Sequence, residues 1–169
     1  MYKKIYLFFI IGFLLLIIGC DPSAKTVNDL YEQTPSTNLE NENLNGIKIG
    51  ATEDKIIDVF GLPQKTEEVG NPKVKHLIYK NEEVVFMLDA KDKLVKYFIA
   101  KQPEIQTSKN ISTGDNKTDV INSYGNNFYE REEGGTKLIG YIDKKNNLYI
   151  EFGLSEEKIL LFIIVKQYE

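Results

Sequence analysis

Side chains that commonly perform chemistry are scarce in this sequence, which has one cysteine, Cys20, and one histidine, His76, among its 169 residues. So few ligands and bases disfavour a zinc site of the usual His/Cys kind and a Ser-His-Asp or Cys-His catalytic arrangement. Adjacent carboxylates such as Glu132 and Glu133 lie beside predicted turns, where water solvates them. The sequence therefore predicts a protein that is not an enzyme and that needs no metal or other cofactor.

The residues before Cys20 have the organisation of an export signal. Lys3 and Lys4 form a short positive head, and residues 5–18 are apolar apart from Gly12. A positive head, an apolar stretch and a small residue at the cut are typical of a secretory signal. The apolar stretch is shorter than the roughly 20 residues that a membrane-spanning helix needs. We therefore interpret residues 1–19 as a signal peptide.

The small residue Gly19, placed directly before Cys20, resembles the lipobox of bacterial lipoproteins. This resemblance implies cleavage before Cys20, acylation of its thiol, and anchoring in the lipid bilayer on the extracytoplasmic face of the cell membrane. Each methylene of an acyl chain buried in a membrane contributes about 0.8 kcal/mol, so two or three chains give lasting attachment. The alternative is an uncleaved membrane anchor in which Cys20 is incidental.

The composition of the remaining chain limits its partners. Removing Lys3 and Lys4 with the signal leaves 19 basic side chains against 25 acidic ones, a net charge of −6. An acidic surface argues against nucleic acid as a partner. The 150 residues that follow the cut suffice for one domain of ordinary size.

Residues 20–45 comprise the lipidated cysteine and a segment rich in Asn, Glu, Thr and Ser, with Pro22 and Pro35. Because its few apolar residues show no sustained period, we predict a flexible tether with a mean span of roughly 25–30 Å. A short helix over residues 27–32 is compatible with the spacing of Val27, Leu30 and Tyr31.

The rest of the chain repeats itself. Residues 47–61 align without a gap with residues 111–125, which brings Gly50 opposite Gly114 and Gly61 opposite Gly125. Further matches follow in the same order, so a duplicated unit is the best explanation. We place the first repeat at residues 46–104 and the second at residues 105–169.

Each repeat is predicted to contain one helix and three strands. The helix begins after Thr52 or Asn116, whose side chains can cap it, and ends at Gly61 or Gly125. Apolar runs between turn residues predict the strands, at residues 76–80, 82–89 and 94–100, then 137–143, 147–153 and 158–166. The expected fold class is therefore α+β, with two tandem units of a helix and a three-stranded antiparallel meander forming one sheet with the helices on one face.

The first repeat resembles a known lipoprotein motif. Residues 49–63 pair a Gly50-x-Thr52 start with a Gly61-x-Pro63 end, as in small outer-membrane lipoproteins of the SmpA/OmlA type. Two tandem units also resemble the architecture of the beta-lactamase inhibitory protein. The resemblance implies a role in binding other proteins. It does not extend to inhibiting a beta-lactamase, because this chain cannot form an internal disulfide and its second repeat has Asn126-Asn127 at the closing position.

These patterns favour a membrane-anchored, extracytoplasmic lipoprotein that binds another envelope protein or assists envelope assembly. Tyr97, Tyr129 and Tyr141 are predicted to be exposed aromatic anchors for that partner, since tyrosine is enriched at interface hot spots. The alternative is a lipoprotein that binds or senses a small molecule, a peptide or a glycan held between its two repeats.

Overall fold

The computed structural model describes residues 27–89, 91 and 94–166, so the predicted signal peptide and Cys20 lie outside it. The helices are short: α1 (Val27–Gln33), α2 (Glu53–Phe60) and α3 (Lys117–Tyr124). The strands of the first half are β1 (Lys65–Val69), β2 (Val74–Tyr79), β3 (Val84–Asp89) and β4 (Val95–Ala100). Those of the second half are β5 (Tyr129–Glu133), β6 (Thr136–Asp143), β7 (Leu148–Ser155) and β8 (Lys158–Lys166).

All eight strands belong to one antiparallel sheet in the order β1-β2-β3-β4-β8-β7-β6-β5. Each half of the chain forms a four-stranded meander, and the last strands of the two meanders pair with each other. In that seam Phe98 lies opposite Ile164, and Ala100 lies opposite Phe162. The outermost strands are therefore β1 and β5.

The predicted fold class is wrong. The described chain is mostly β, with eight strands and three short helices, instead of two units of a helix and three strands. The missing strands are β1 (KTEEV) and β5 (YEREE), whose charged residues lack the apolar alternation that indicates a strand. They join the sheet through backbone pairing at its edges, where charged side chains are favoured. The helices also do not share one face, because α1 packs on the side opposite α2 and α3.

The ends of α2 and α3 agree with the sequence. The Thr52 hydroxyl accepts a hydrogen bond from the Lys55 backbone N–H at 3.4 Å, and Asp119 Oδ2 accepts one from the Asn116 N–H at 3.0 Å. Gly61 and Gly125 follow the helices with φ of 77° and 92°, a backbone conformation that glycine adopts with little strain.

The main hydrophobic core lies between the sheet and helices α2 and α3. Its largest fully buried side chains include Phe86, Phe98, Phe152 and Phe162, which form tilted aromatic pairs within each half. The core also contains one matched contact per half. The Tyr79 hydroxyl donates to the Gly61 carbonyl at 3.1 Å, and the Tyr141 hydroxyl donates to the Gly125 carbonyl at 3.0 Å.

The segment predicted to be a flexible tether instead packs against the sheet from residue 27 onward. Leu39 and Leu44 are buried in the main core, although no helical or strand period links them. The backbone N–H of Thr37 donates to the Ile142 carbonyl at 2.7 Å, and that of Leu39 donates to Asp143 Oδ2 at 2.8 Å. Isolated leucines can fill gaps left by a sheet without any period of their own, so the sequence pattern alone does not indicate this packing.

Within the described residues, no helix has both the length and the apolar character to cross a membrane.

Asp143 holds the N-terminal segment to the β6–β7 hairpin, and its ionisation should make stability depend on pH. Its burial opposes ionisation, but hydrogen bonds from Asn146 and from the Leu39 N–H outweigh burial and hold the pKa below the usual 3.8. Since the folded-state pKa is lowered, the stability that the carboxylate contributes is present above the unfolded-state value and is lost as pH falls through the folded-state value.

We therefore expect Asp143→Asn to lower the free energy of unfolding at neutral pH by about 1.5–3 kcal/mol, the scale for hydrogen bonds to a charged group. The difference from the native protein should shrink as pH is lowered below 3.8. Denaturant unfolding at several pH values measures it, with Asp58→Asn on the exposed side of α2 as the control. A deficit that stays constant with pH would contradict this role of the carboxylate.

Candidate binding surface

The sheet has a second face, opposite the core, which we call the open face. It is defined by a row of side chains on adjacent strands: His76, Met87, Tyr97, Val165 and Tyr149, each paired across the sheet with the next. Helix α1 covers one end of this face, where Leu30 and Tyr31 pack against Ile142, Tyr149 and Tyr129.

A network of buried polar groups lies on the open face of the second half. Glu151 is only 3% exposed, and its carboxylate faces the guanidinium of Arg131. Arg131 Nε donates to Glu151 Oε1 at 2.6 Å, and Nη2 donates to Oε2 at 2.7 Å. The Tyr129 hydroxyl donates to the same Oε1 at 2.6 Å. Such two-pronged, charge-assisted bonds fix geometry strongly, so these three side chains form one rigid unit.

Gly140 makes room for this network. Its strand neighbour Tyr129 places its ring directly over the Gly140 backbone, and a Cβ at position 140 would lie 2.3 Å from Tyr129 Cζ. No side chain fits there without moving the ring. The glycine therefore lets the tyrosine lie flat across β6 and reach Glu151 on β7.

The first half shows that the fold does not require this network. Tyr79 and Tyr141 make the same contact to a helix-terminal carbonyl, which sets the correspondence between the two halves. Strand register then places Lys65, Glu67, Ile78 and Val85 at the positions of Tyr129, Arg131, Gly140 and Glu151. Val85 therefore stands where the second half has a buried carboxylate.

A buried ion pair is a poor way to gain stability, because the cost of removing two charges from water can exceed their attraction. In the first half the apolar Val85 stands at the Glu151 position, and the exposed ion pair of Lys65 and Glu67 stands at the positions of Tyr129 and Arg131, so the same strands form without a buried charge. The network is thus a feature particular to the second half, and it marks the part of the open face where a specific role is most expected.

The contacts of the network keep Tyr129 and Arg131 in fixed ionisation states. Burial, the Glu151 charge and the hydrogen bond to that carboxylate raise the pKa of Tyr129. The hydrogen bond to Glu151 raises the pKa of Arg131. Burial, followed by the Glu151 charge, raises the pKa of the neighbouring Tyr149 to about 12. Tyr129, Tyr149 and Arg131 therefore do not exchange protons near neutral pH, which suits a structural or recognition role better than acid-base chemistry.

Strand β5 also borders a charged depression at the edge of the sheet. Its volume is about 260 Å³, and its lining combines the aliphatic Leu138 and Leu154 with Lys117, Glu130, Arg131, Glu132, Lys137 and Glu157. Lys117 Nζ lies 2.6 Å from Glu130 Oε1 and 3.8 Å from Glu157 Oε2. Arg131 belongs both to this lining and to the buried network, so the network holds one wall of the depression in place.

The structure changes the set of candidate site residues. Tyr141 is fully buried in the core and Tyr129 is 7% exposed, so the prediction that these two are exposed anchors is wrong. Tyr97 is half-buried on the open face, where partner contact remains a prediction. Cys20 lies outside the described residues, and its lipidation also remains a prediction.

Sequence reasoning missed Arg131, Gly140 and Glu151. One signal could have found part of the network: Glu151 is the only charged residue within the apolar run of β7, LYIEFGL. A lone carboxylate in such a run needs a buried partner. Among the residues that the structure describes, no group of three His, Cys, Asp or Glu side chains is arranged to hold a metal ion.

Comparison with known proteins gives a likeness of fold. No family model and no curated protein matches this chain. An extracellular protein containing an SCP domain from Bacillus anthracis matches 89% of the chain with a TM-score of 0.51 and 9% sequence identity. The match covers 48% of that protein, so this chain spans about half its length. At such low identity the likeness concerns the fold alone.

Two further solved structures match less well. A cysteine-rich secretory protein from Staphylococcus aureus has a TM-score of 0.47 and 12% identity, covering 70% of this chain and 44% of that one. A DUF4309 family protein from Bacillus subtilis has a TM-score of 0.43 and 12% identity, covering 83% of this chain and 92% of that one. The resemblance to SmpA/OmlA lipoproteins stays a prediction.

The network predicts a distinctive pattern of stabilities. Arg131→Met should lower the free energy of unfolding by about 3–5 kcal/mol, because it leaves the Glu151 charge buried and unpaired. Combining it with Tyr129→Phe and Glu151→Val, which removes every polar member, should recover most of that loss, since the first half is apolar at the Glu151 position. Denaturant unfolding of the single and triple variants measures this. A triple variant at least as unstable as Arg131→Met would show that the network itself is needed for folding.

Proposed function

We propose that this protein is a lipid-anchored module on the extracytoplasmic face of a bacterial cell membrane, where it binds another envelope protein without catalysing a reaction. The observation that carries the proposal is the buried Tyr129–Arg131–Glu151 network, which is present in one half of a duplicated sheet and absent from the other. We assign the binding site to the edge of the sheet formed by strand β5 and the depression beside it, which we call the β5 edge. The network holds this edge rigid.

The β5 edge has properties that suit protein recognition. An edge strand presents backbone donors and acceptors that a partner chain can pair with, and its charged side chains limit pairing with unrelated chains. Arg131 is among the residue types most frequent in binding hot spots. Because Glu151 already fixes the Arg131 side chain, that side chain loses little conformational entropy when a partner docks. This favours affinity.

The size of the depression favours a macromolecule over a small ligand. At about 260 Å³ it is slightly smaller than the roughly 300–1,000 Å³ usual for small-molecule pockets, and most of the residues that line it are charged. A partner protein can use such a shallow, charged surface as one part of a larger interface. The alternative of a small molecule, peptide or glycan held between the repeats has less support.

The N-terminal sequence supports the anchor and the location. The signal-like residues 1–19 and the Gly19-Cys20 pair imply export and lipidation. The Bacillus anthracis protein of similar fold is described as extracellular, which accords with an exported role for this fold.

Affinity capture from native membranes tests the proposal with charge-swapped variants. Glu132 and Lys137 are exposed, lie opposite each other on β5 and β6, and line the depression. The double variant Glu132→Lys with Lys137→Glu keeps the net charge and the opposite-charge pairing but reverses the pattern that a partner meets. We expect a protein enriched with the native lipoprotein, identified by mass spectrometry, to be lost with this variant.

The matched control lies at the other edge of the sheet. Glu68→Lys with Lys73→Glu reverses an exposed ion pair whose charged atoms lie 2.8 Å apart, next to β1, and should leave the partner enriched. Cys20→Ala shows whether capture needs the anchor. If both swapped proteins retain the same partners as the native protein, the β5 edge is not the binding site. If no protein is enriched with the native lipoprotein, the binding role itself fails.

A further inference from the structure

Part of the open face is apolar and belongs to neither hydrophobic cluster of the described residues. Met87, Tyr97, Ile99, Ile163 and Val165 occupy neighbouring positions on β3, β4 and β8 and are half-buried. Neither the main core nor the smaller cluster around Leu30 includes them. We call these five side chains the apolar patch. It lies at the seam between the two halves of the sheet.

Helix α1 shows from which side of the sheet the membrane tether leaves. Leu30 and Tyr31 pack on the open face against Ile142 and Tyr149. The Tyr31 hydroxyl donates to Asn147 Oδ1 at 3.2 Å, which fixes the helix at the β6–β7 hairpin. The chain then turns around this hairpin, so that Leu39 and Leu44 reach the core on the other face. The N-terminal end of α1 therefore lies on the same side of the sheet as the apolar patch.

The distance from α1 to the lipid is short. Val27 lies seven positions after Cys20 in the chain. A fully extended chain of that length spans at most about 25 Å. With Cys20 acylated, the bilayer surface therefore lies within this distance of the α1 end of the open face. Such a short connection keeps the local concentration of membrane high, so weak contacts suffice to fix an orientation.

We propose that the open face lies against the lipid surface of the membrane that holds Cys20, with the apolar patch as the contact. This rests on the lipid anchor of the proposed function. The patch offers aliphatic side chains to the boundary between headgroups and acyl chains, where apolar faces enter by roughly 5–10 Å. Tyr97 supplies an aromatic ring with a hydroxyl, a combination favoured at membrane interfaces.

The charges of the open face are compatible with this contact. Arg131 forms ion pairs with both Glu151 and Glu133, and Glu67 forms an ion pair with Lys65. Paired charges cost less to bring near a lipid surface than isolated ones. In this orientation the sheet lies roughly parallel to the membrane, and the β5 edge points sideways. A partner at that edge would then be a neighbour on the same membrane, which refines the proposed function.

Fluorescent labels at two positions test the orientation in the lipidated full-length protein, reconstituted in vesicles of zwitterionic phosphatidylcholine. Lipidation blocks Cys20, so Ile99→Cys places a single reactive thiol in the patch and Val59→Cys places one on exposed α2. We expect brominated lipids to reduce emission from the label at position 99 and not at position 59. Water-soluble iodide should quench the label at position 59 more strongly than the label at position 99. Met87→Cys serves as a second patch position if Ile99→Cys melts at a lower temperature than the native protein.

The outcomes separate this inference from the proposed function. Partition into the detergent phase, lost in Cys20→Ala, reports the anchor independently of orientation. If the anchor is present and labels at both positions respond equally to iodide, the orientation is wrong while the anchored binding role stands. If brominated lipid quenches position 59 instead, the α2 face contacts the membrane and the inference is overturned. Absence of lipid on Cys20 overturns both.

Discussion

The pairing of β4 with β8 is the interaction on which the rest of the structure depends. Each half of the chain folds into a four-stranded meander with one helix, and such a unit alone would leave the side of its last strand unpaired. In the seam Phe98 meets Ile164 and Ala100 meets Phe162, so the two cores become one. Backbone groups that would otherwise form two sheet edges are satisfied internally. The same pairing produces a single open face that crosses both halves.

A shared core allows the two halves to diverge. The helix, its terminal glycine and the tyrosine bonded to the glycine carbonyl are kept in both, through Tyr79 and Tyr141. On the open face, by contrast, Val85 in one half corresponds to Glu151 in the other. Because the core side alone can hold the sheet, the open face of the second half can carry a buried ion pair that contributes little to folding. We regard this asymmetry as the strongest structural sign of a binding role.

The sequence predicted those parts of the fold that depend on local chemistry. Thr52, Gly61 and Gly125 mark helix ends through backbone hydrogen bonding and positive φ, and apolar runs located six of the eight strands. The sequence pattern did not predict strands β1 and β5, because they pair through the backbone while their side chains are charged. The sequence pattern also did not predict the packing of residues 27–45, because Leu39 and Leu44 fill gaps that only the assembled sheet creates.

The candidate site was harder to predict because strand periodicity separates side chains into two sets without saying which set is buried. In β6, Tyr141 shares its set with the charged Lys137 and Asp143, so the pattern alone favoured a solvent-facing Tyr141. Tyr129 begins a strand whose other residues are all charged, a pattern that is typical of an exposed segment. Its burial comes from Gly140 and Glu151, which strand register brings beside it from two other strands. Only the lone carboxylate of β7 gave a local indication that a polar network exists.

The intact mass of the protein extracted from native membranes shows whether lipid on Cys20 holds the folded sheet at a membrane. We expect a chain that begins at Cys20, lacks residues 1–19, and carries added mass equal to a diacylglyceryl group on the thiol, with or without a further acyl chain on the new amino terminus. A chain that begins at Met1, or one whose Cys20 carries no lipid, would contradict it.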